Sequence, residues 1–123
     1  MTNPLDALKG RRILVVEDDF FMVADLLREL EQAGVEVVGP APSVAKATEI
    51  IEREPLPDAA ILDLNVQGEM VFPFADLLVE RNVPFVFLTG YDRDVIPTRF
   101  STTKRCEKPL ELPPLAAALF GRP

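Results

Sequence analysis

The sequence predicts an α/β domain, a doubly wound parallel sheet of five strands with helices on both faces. Three observations predict it. Short apolar runs read as strands buried on both sides. Between them lie segments whose apolar residues recur at helical spacing. The two kinds alternate five times along 123 residues. Such alternation implies parallel strands joined by right-handed crossovers, and the length fits a single domain spanning residues 1–123.

Residues 1–10 read as a lead-in with a helical turn. The first strand is Arg12 to Val16. Phe20 to Ala33 follows as a helix, with Val23, Leu26, Leu27, Leu30 and Ala33 at helical spacing and Gly34 as its stop. Val35 to Val38 is the second strand, ended by Gly39-Pro40-Ala41-Pro42. Ser43 caps a helix from Val44 to Arg53 with Val44, Ala47, Ile50 and Ile51 inward. Ala59 to Leu62 is the third strand, and Asn65 to Gly68 a loop with a turn glycine. A third helix runs from Val71 or Phe74 to Arg81. Val83 to Leu88 is the fourth strand, with Pro84 at its start. Arg105 to Glu107 is the fifth, and Pro113 and Pro114 lie in the first turn of the last helix.

One element departs from the pattern. The fourth helix belongs between Tyr91 and Lys104, but Pro97 and its β-branched and small polar neighbours oppose a full helix. One turn at most, or a loop, is expected there. With few apolar anchors, its local stability is expected to be low.

Composition narrows the function. A formal net charge of −7 opposes binding to phosphate backbones, so no nucleic acid is expected. The chain has no His, which removes His-based triads and most zinc sites. Cys106 is the only cysteine and reads as a small core residue; with no internal disulfide, a reducing, cytoplasmic setting is expected. No apolar run approaches a membrane span or a signal peptide.

The polar residues that end the strands carry the chemistry. In open α/β sheets, ligands bind at the carboxyl ends of the strands. Here those ends bear Glu17-Asp18-Asp19, Asp63-Leu64-Asn65, Thr89-Gly90 and Lys108-Pro109. Taken singly, each has a plain reading: a helix cap, a turn, a strand end and a solvated Lys. Asp19 reads as such a cap. Taken together, Glu17 and Asp18 with Asp63 suit a hard divalent cation, Mg²⁺, because crowded carboxylates need a cation to neutralise them. Thr89 and Lys108 suit an anionic oxygen group, and Gly90 leaves room for it. Asp63, opposite such a cation, reads as a nucleophile that forms an acyl phosphate.

The spacing is more specific than its parts. Asp63 lies 45 residues after Asp18, Thr89 26 after Asp63, and Lys108 19 after Thr89. With these residues in these places, the chain from Arg11 to Phe120 resembles the receiver domain of bacterial two-component response regulators. The resemblance implies a flavodoxin-like (βα)5 fold with strand order 2-1-3-4-5. It implies Asp63 as phosphoacceptor, Glu17 and Asp18 as the acidic pair with Asp18 a direct Mg²⁺ ligand, and Asn65 giving its main-chain carbonyl to the metal. Thr89 and Lys108 would hold the phosphoryl group, and Lys108-Pro109 would be a cis peptide. It also implies a sensor histidine kinase or phosphotransfer protein as donor, a downstream protein partner, and a monomer or weak homodimer.

Two features depart from the family. Arg105 stands where an aromatic ring usually couples to the Thr, and the fourth helix is degenerate. The run Pro84-Phe85-Val86-Phe87-Leu88-Thr89-Gly90-Tyr91 resembles a subgroup of mostly single-domain receivers from alphaproteobacteria, with Leu88 in place of an Ala. Without an aromatic at Arg105, Thr89 and Tyr91 are expected to move inward together on phosphorylation. Two other readings fit a Mg²⁺ and phosphate site less well. An aspartyl phosphohydrolase of the haloacid dehalogenase kind carries its nucleophile on the first strand. A flavodoxin-like flavin binder needs a Ser/Thr-rich phosphate loop there, where this chain is acidic.

Overall fold

The structure is a computed structural model describing residues 4–90, 95–108 and 110–121. Five strands form one parallel sheet: β1 (Arg12–Val16), β2 (Glu36–Ala41), β3 (Ala59–Asp63), β6 (Phe85–Thr89) and β7 (Arg105–Glu107). Between β3 and β6 lies a separate two-stranded hairpin, β4 (Asn65–Val66) and β5 (Glu69–Met70). The sheet order is β2-β1-β3-β6-β7, which is 2-1-3-4-5 once the hairpin is set aside. The flavodoxin-like expectation holds.

Alternation along the strands divides the core in two. Leu14, Val16, Ala60, Leu62 and Phe87 face one side, under α2 (Val44–Arg53) and α3 (Phe72–Glu80). Ile13, Val15, Ala59, Ile61, Val86 and Leu88 face the other, under α1 (Phe20–Gln32) and α4 (Leu112–Phe120). Because both faces are covered, the strands read as unbroken apolar runs. Cys106 is buried on the second side, and its burial raises the thiol's pKa, as suits an inert core residue.

Helix ends follow local chemistry. Asp19 accepts a hydrogen bond from the Met22 N–H at 3.1 Å, and Ser43 accepts one from Lys46 N–H at 3.1 Å. Both side chains satisfy first-turn donors that the helix leaves open. Gly34, at φ +88°, stops α1. The Val35 N–H reaches back to the Leu30 carbonyl and the Gly34 N–H to Glu31, a Schellman closure.

The structure corrects two expectations, the end of β2 and the Asn65 to Gly68 loop, and adds detail to two that hold, the helical turn of the lead-in and the degenerate fourth helix. β2 does not stop at Val38 but continues through Gly39-Pro40 to Ala41. Between Leu14↔Val38 and Val16↔Ala41 the register shifts by one residue, and Gly39 takes φ +91° there. A Cβ on Gly39 would lie 2.7 Å from the Ala41 nitrogen, so only glycine fits. Pro40 is tolerated because β2 is an outer strand. The segment Asn65 to Gly68 is not a plain loop: Gln67 at φ 52° and Gly68 at φ 78° form the type I′ turn of the hairpin. The lead-in is a 3-10 helix, Pro4–Leu8, whose Leu8 is fully buried against the α1 and α4 side. Arg11 lies over the Phe120 ring at 4.4 Å and fastens this corner.

The degenerate helix is as expected, with an anchor that the sequence did not single out. The described residues between β6 and β7 hold a 3-10 turn, Thr98–Phe100, and no α-helix, as the sequence suggests. They do not lack an anchor. Phe100 is buried, stacked near Phe72 at 5.9 Å and edge-on to Phe87 at 5.5 Å. Arg99 donates two hydrogen bonds to the Asp76 carboxylate of α3, each at 3.0 Å.

Candidate functional site

The carboxyl ends of β1, β3, β6 and β7 bring together residues from four distant parts of the chain. Glu17 directly follows β1 and is fully buried, although it carries a carboxylate. Asp63 is the last residue of β3 and is 6% exposed. Thr89 ends β6 and is fully buried. Lys108 follows β7, and its main-chain N–H donates to the Thr89 carbonyl at 3.0 Å, which fixes the two strand ends side by side. The Lys108 ammonium donates to Asp63 Oδ1 at 3.1 Å and lies 4.0 Å from Glu17 Oε2.

Glu17, Asp18 and Asp63 offer one carboxylate oxygen each within 4.8 Å of one another. With all three ionised, three carboxylates facing one ammonium leave two negative charges, which a divalent cation would cancel. Burial is the main reason that Glu17 is pushed from the ordinary 4.5 up to about 8, and neighbouring Asp63 pushes it the same way. The Asp19 N–H, donating to Glu17 Oε1 at 3.1 Å, opposes the shift, as does Lys108.

Two buried polar atoms have no hydrogen-bond partner among the described residues, Glu17 Oε2 and Thr89 Oγ1. An unpaired buried acceptor or hydroxyl costs about 1–3 kcal/mol, so such atoms mark places where something else binds. Glu17 Oε2 faces the carboxylate cluster, and Thr89 ends the neighbouring strand. The residues present therefore fit a hard cation beside an anionic oxygen group.

Asn65, expected to give a main-chain carbonyl, begins the β4–β5 hairpin. The Val71 N–H donates to the Leu64 carbonyl at 2.9 Å, so that pair is hydrogen-bonded within the hairpin ladder. Bonded and non-bonded pairs alternate in antiparallel strands, so the next pair, Asn65↔Met70, is of the non-bonded kind. The Asn65 main-chain carbonyl therefore points out of the ladder. Its side-chain Oδ1 accepts from the Gly68 N–H at 2.9 Å and closes the turn. Asp18 is exposed at the mouth of the site, and its Oδ2 accepts from the Gln67 N–H at 2.9 Å. Nothing in the sequence reading pointed to Gln67, whose contribution is a main-chain donor.

Of the remaining predicted residues, Gly90 is exposed beside Thr89. Arg105 is exposed on β7 and donates to the Ser101 carbonyl at 3.4 Å, away from the site. Tyr91 and Pro109 lie outside the described residues, and with them the Tyr91 movement and the cis Lys108-Pro109 bond.

A five-stranded 2-1-3-4-5 sheet with an acid pair, a lone Asp, a Thr and a Lys at its carboxyl edge defines a flavodoxin-like α/β domain with one acidic site at that edge. Comparison with known proteins agrees. No family model matches. The transcriptional regulatory protein PdtaR of Mycobacterium tuberculosis is 31% identical over 97 residues, 77% of this chain and 47% of PdtaR. The chain thus spans about half the length of the curated relatives it matches. SdrG of Sphingomonas melonis Fr1 is 32% identical over 93% of this chain and 96% of that one, with a TM-score of 0.68. The non-phosphorylated HemR receiver domain of Leptospira biflexa is 27% identical over 93% and 98%, with a TM-score of 0.72. The chain belongs to the receiver-domain family of response regulators.

The division of labour between Asp18 and Asp19 can be measured. Asp19→Ala is expected to cost about 1 kcal/mol of stability through loss of the α1 cap and to leave Mg²⁺ affinity close to wild type. Asp18→Ala is expected to weaken Mg²⁺ binding strongly with little loss of stability. A metal titration and a thermal melt of each variant separate the two, and equal metal affinities would refute the assignment.

The raised Glu17 pKa carries a sign. The folded state holds the Glu17 proton more tightly than the unfolded chain does. In metal-free protein its contribution to stability is therefore complete below pH 4.5 and is lost as pH rises through about 8. The expected loss is on the order of a few kcal/mol. Glu17→Gln keeps the shape without the charge and should flatten this slope and melt higher than wild type at pH 8 in a chelator. Parallel pH profiles for the two proteins would contradict the electrostatic account.

Proposed function

We propose that this chain is a single-domain response regulator that accepts a phosphoryl group on Asp63 from a sensor histidine kinase or phosphotransfer protein. The observation that carries this reading is the pair of buried, unpartnered atoms flanking Asp63, Glu17 Oε2 and Thr89 Oγ1. An Asp63 oxygen attacks the phosphorus in line, the bond to the donor nitrogen breaks, and an acyl phosphate remains. Lys108, already hydrogen-bonded to Asp63 Oδ1, supplies a point charge for the incoming oxygens. The Thr89 hydroxyl donates to one of them. Mg²⁺, when bound, would be held by Glu17, Asp18, Asp63 and the Asn65 carbonyl and would offset the negative charge on the transferred group. A relative, SdrG, has a BeF3-activated conformation, which supports an analogous activation of this chain.

Output runs through protein contacts: the phosphorylated form binds a downstream partner or passes the phosphoryl group on. The role is that of a phosphoacceptor rather than a metabolic enzyme. Among the described residues no helix is long and apolar enough to cross a membrane, and the free Cys106 suits a cytoplasmic setting. The test is to mix the protein with Mg²⁺ and acetyl phosphate and weigh it intact. One acid-labile phosphoryl group per chain is expected. Steady hydrolysis without a stable adduct would favour a phosphohydrolase, and no reaction would overturn the reading.

A further inference from the structure

We propose that the turn of the β4–β5 hairpin, through the Gln67 main-chain N–H, positions Asp18 for the divalent cation. This rests on the reading of Glu17, Asp18 and Asp63 as the metal site. Asp18 is exposed, and a free carboxylate at such a place samples several rotamers. Here one of its oxygens is already held. Gln67, 49 residues along the chain, donates to Oδ2 at 2.9 Å. A carboxylate has lone pairs to spare, so accepting this bond still leaves it able to ligate, and one of its oxygens lies within 4.8 Å of a Glu17 and an Asp63 oxygen. Hydrogen bonds to a ligating carboxylate set its orientation, and their loss typically weakens metal binding by about 10–100-fold.

The donor can do this because the turn is stiff. Gln67 and Gly68 both take positive φ, at 52° and 78°, the requirement of a type I′ turn. Asn65 Oδ1 accepts the Gly68 N–H from within the loop, at 2.9 Å. Val66 and Val71 are buried on the α2 and α3 side of the core and hold the hairpin down. Two successive N–H groups are thus committed, one to the loop itself and one to the site. The hairpin also carries the Asn65 carbonyl, so one rigid element sets two of the four proposed metal contacts. The Gln67 side chain plays no part.

Four proteins and two measurements test this. Gln67→Pro deletes the donor and, with its φ fixed near about −65°, also displaces the turn, whereas Gln67→Gly keeps the N–H and favours the positive φ. In calorimetric titration with Mg²⁺, Gln67→Pro should bind at least about tenfold more weakly than wild type, and Gln67→Gly should match it. If Gln67→Pro does not fold, the amide-exchange comparison carries the test. In metal-free protein, amide exchange at Gln67 should be slow in wild type and fast in Asp18→Ala. Equal exchange in those two, or wild-type Mg²⁺ affinity in the folded Gln67→Pro variant, would overturn the inference while leaving the metal site intact. Absence of Mg²⁺ binding by wild type would instead sink the reading on which it rests.

Discussion

Asp63→Asn is expected to abolish phosphoryl uptake from acetyl phosphate and Mg²⁺ while leaving the fold intact. Asn has the shape of Asp but no nucleophilic oxygen anion. The side chain is 6% exposed at the end of β3, so the substitution changes charge rather than packing. It also removes one carboxylate from a crowded cluster, so the metal-free variant should melt at or above wild type. Intact mass after incubation should show no adduct, whereas wild type gains one phosphoryl group. An adduct forming at the wild-type rate would move the acceptor to another residue and undo the site as assigned.

Phe100→Ala is expected to cost about 3–5 kcal/mol, the range for emptying a buried Phe site. Phe100 touches Phe72, Phe85 and Phe87, at centroid distances of 5.9, 6.2 and 5.5 Å. Those rings come from α3 and β6, so this side chain, with partly buried Ile96 ahead of it, joins the 3-10 turn to the core. The loss should be accompanied by faster amide exchange across residues 98–104, because only the exposed Arg99–Asp76 pair would still tie the turn to α3. Urea unfolding measures the first effect and hydrogen exchange the second. A cost below about 1 kcal/mol would mean that the turn is held by contacts other than this ring.

The order of strands and the edge where chemistry gathers were legible because they depend on strong local signals. Ile13 to Val16 and Ala59 to Leu62 are apolar without interruption, and each gives way abruptly to acids. The cap roles of Asp19 and Ser43 and the stop at Gly34 were legible for the same reason: each depends on one side chain and its own helix. What escaped depends on partners far away in sequence. Phe100 looks like a stray aromatic in a polar loop until Phe72 and Phe87 are seen beside it. Gln67-Gly68 lacks the Asn-Gly or Asp-Gly signal of a type I′ turn, so its hairpin read as loop. Leu8 was hidden in the lead-in because its packing surface is assembled from α1 and α4. The extension of β2 past Gly39-Pro40 was missed because both residues ordinarily end strands. At the site, Glu17, Asp63, Thr89 and Lys108 converge as their positions at strand ends implied, while their burial and the two unpaired atoms emerge only in three dimensions.

The interruption in β2 has a consequence for colloidal behaviour. Outer strands of a sheet present open rows of donors and acceptors on which another chain can add a strand, the first step of fibril growth. Along β2 that row is broken, because Pro40 has no N–H to offer and the register shift at Gly39 bends the strand there. The opposite border, β7, is three residues long and exposes Arg105 and Glu107. A neighbouring molecule meets a gap on one side and a short charged stub on the other. Crowded solutions of this protein should therefore resist strand-by-strand aggregation, even though the interior of its sheet is almost wholly apolar.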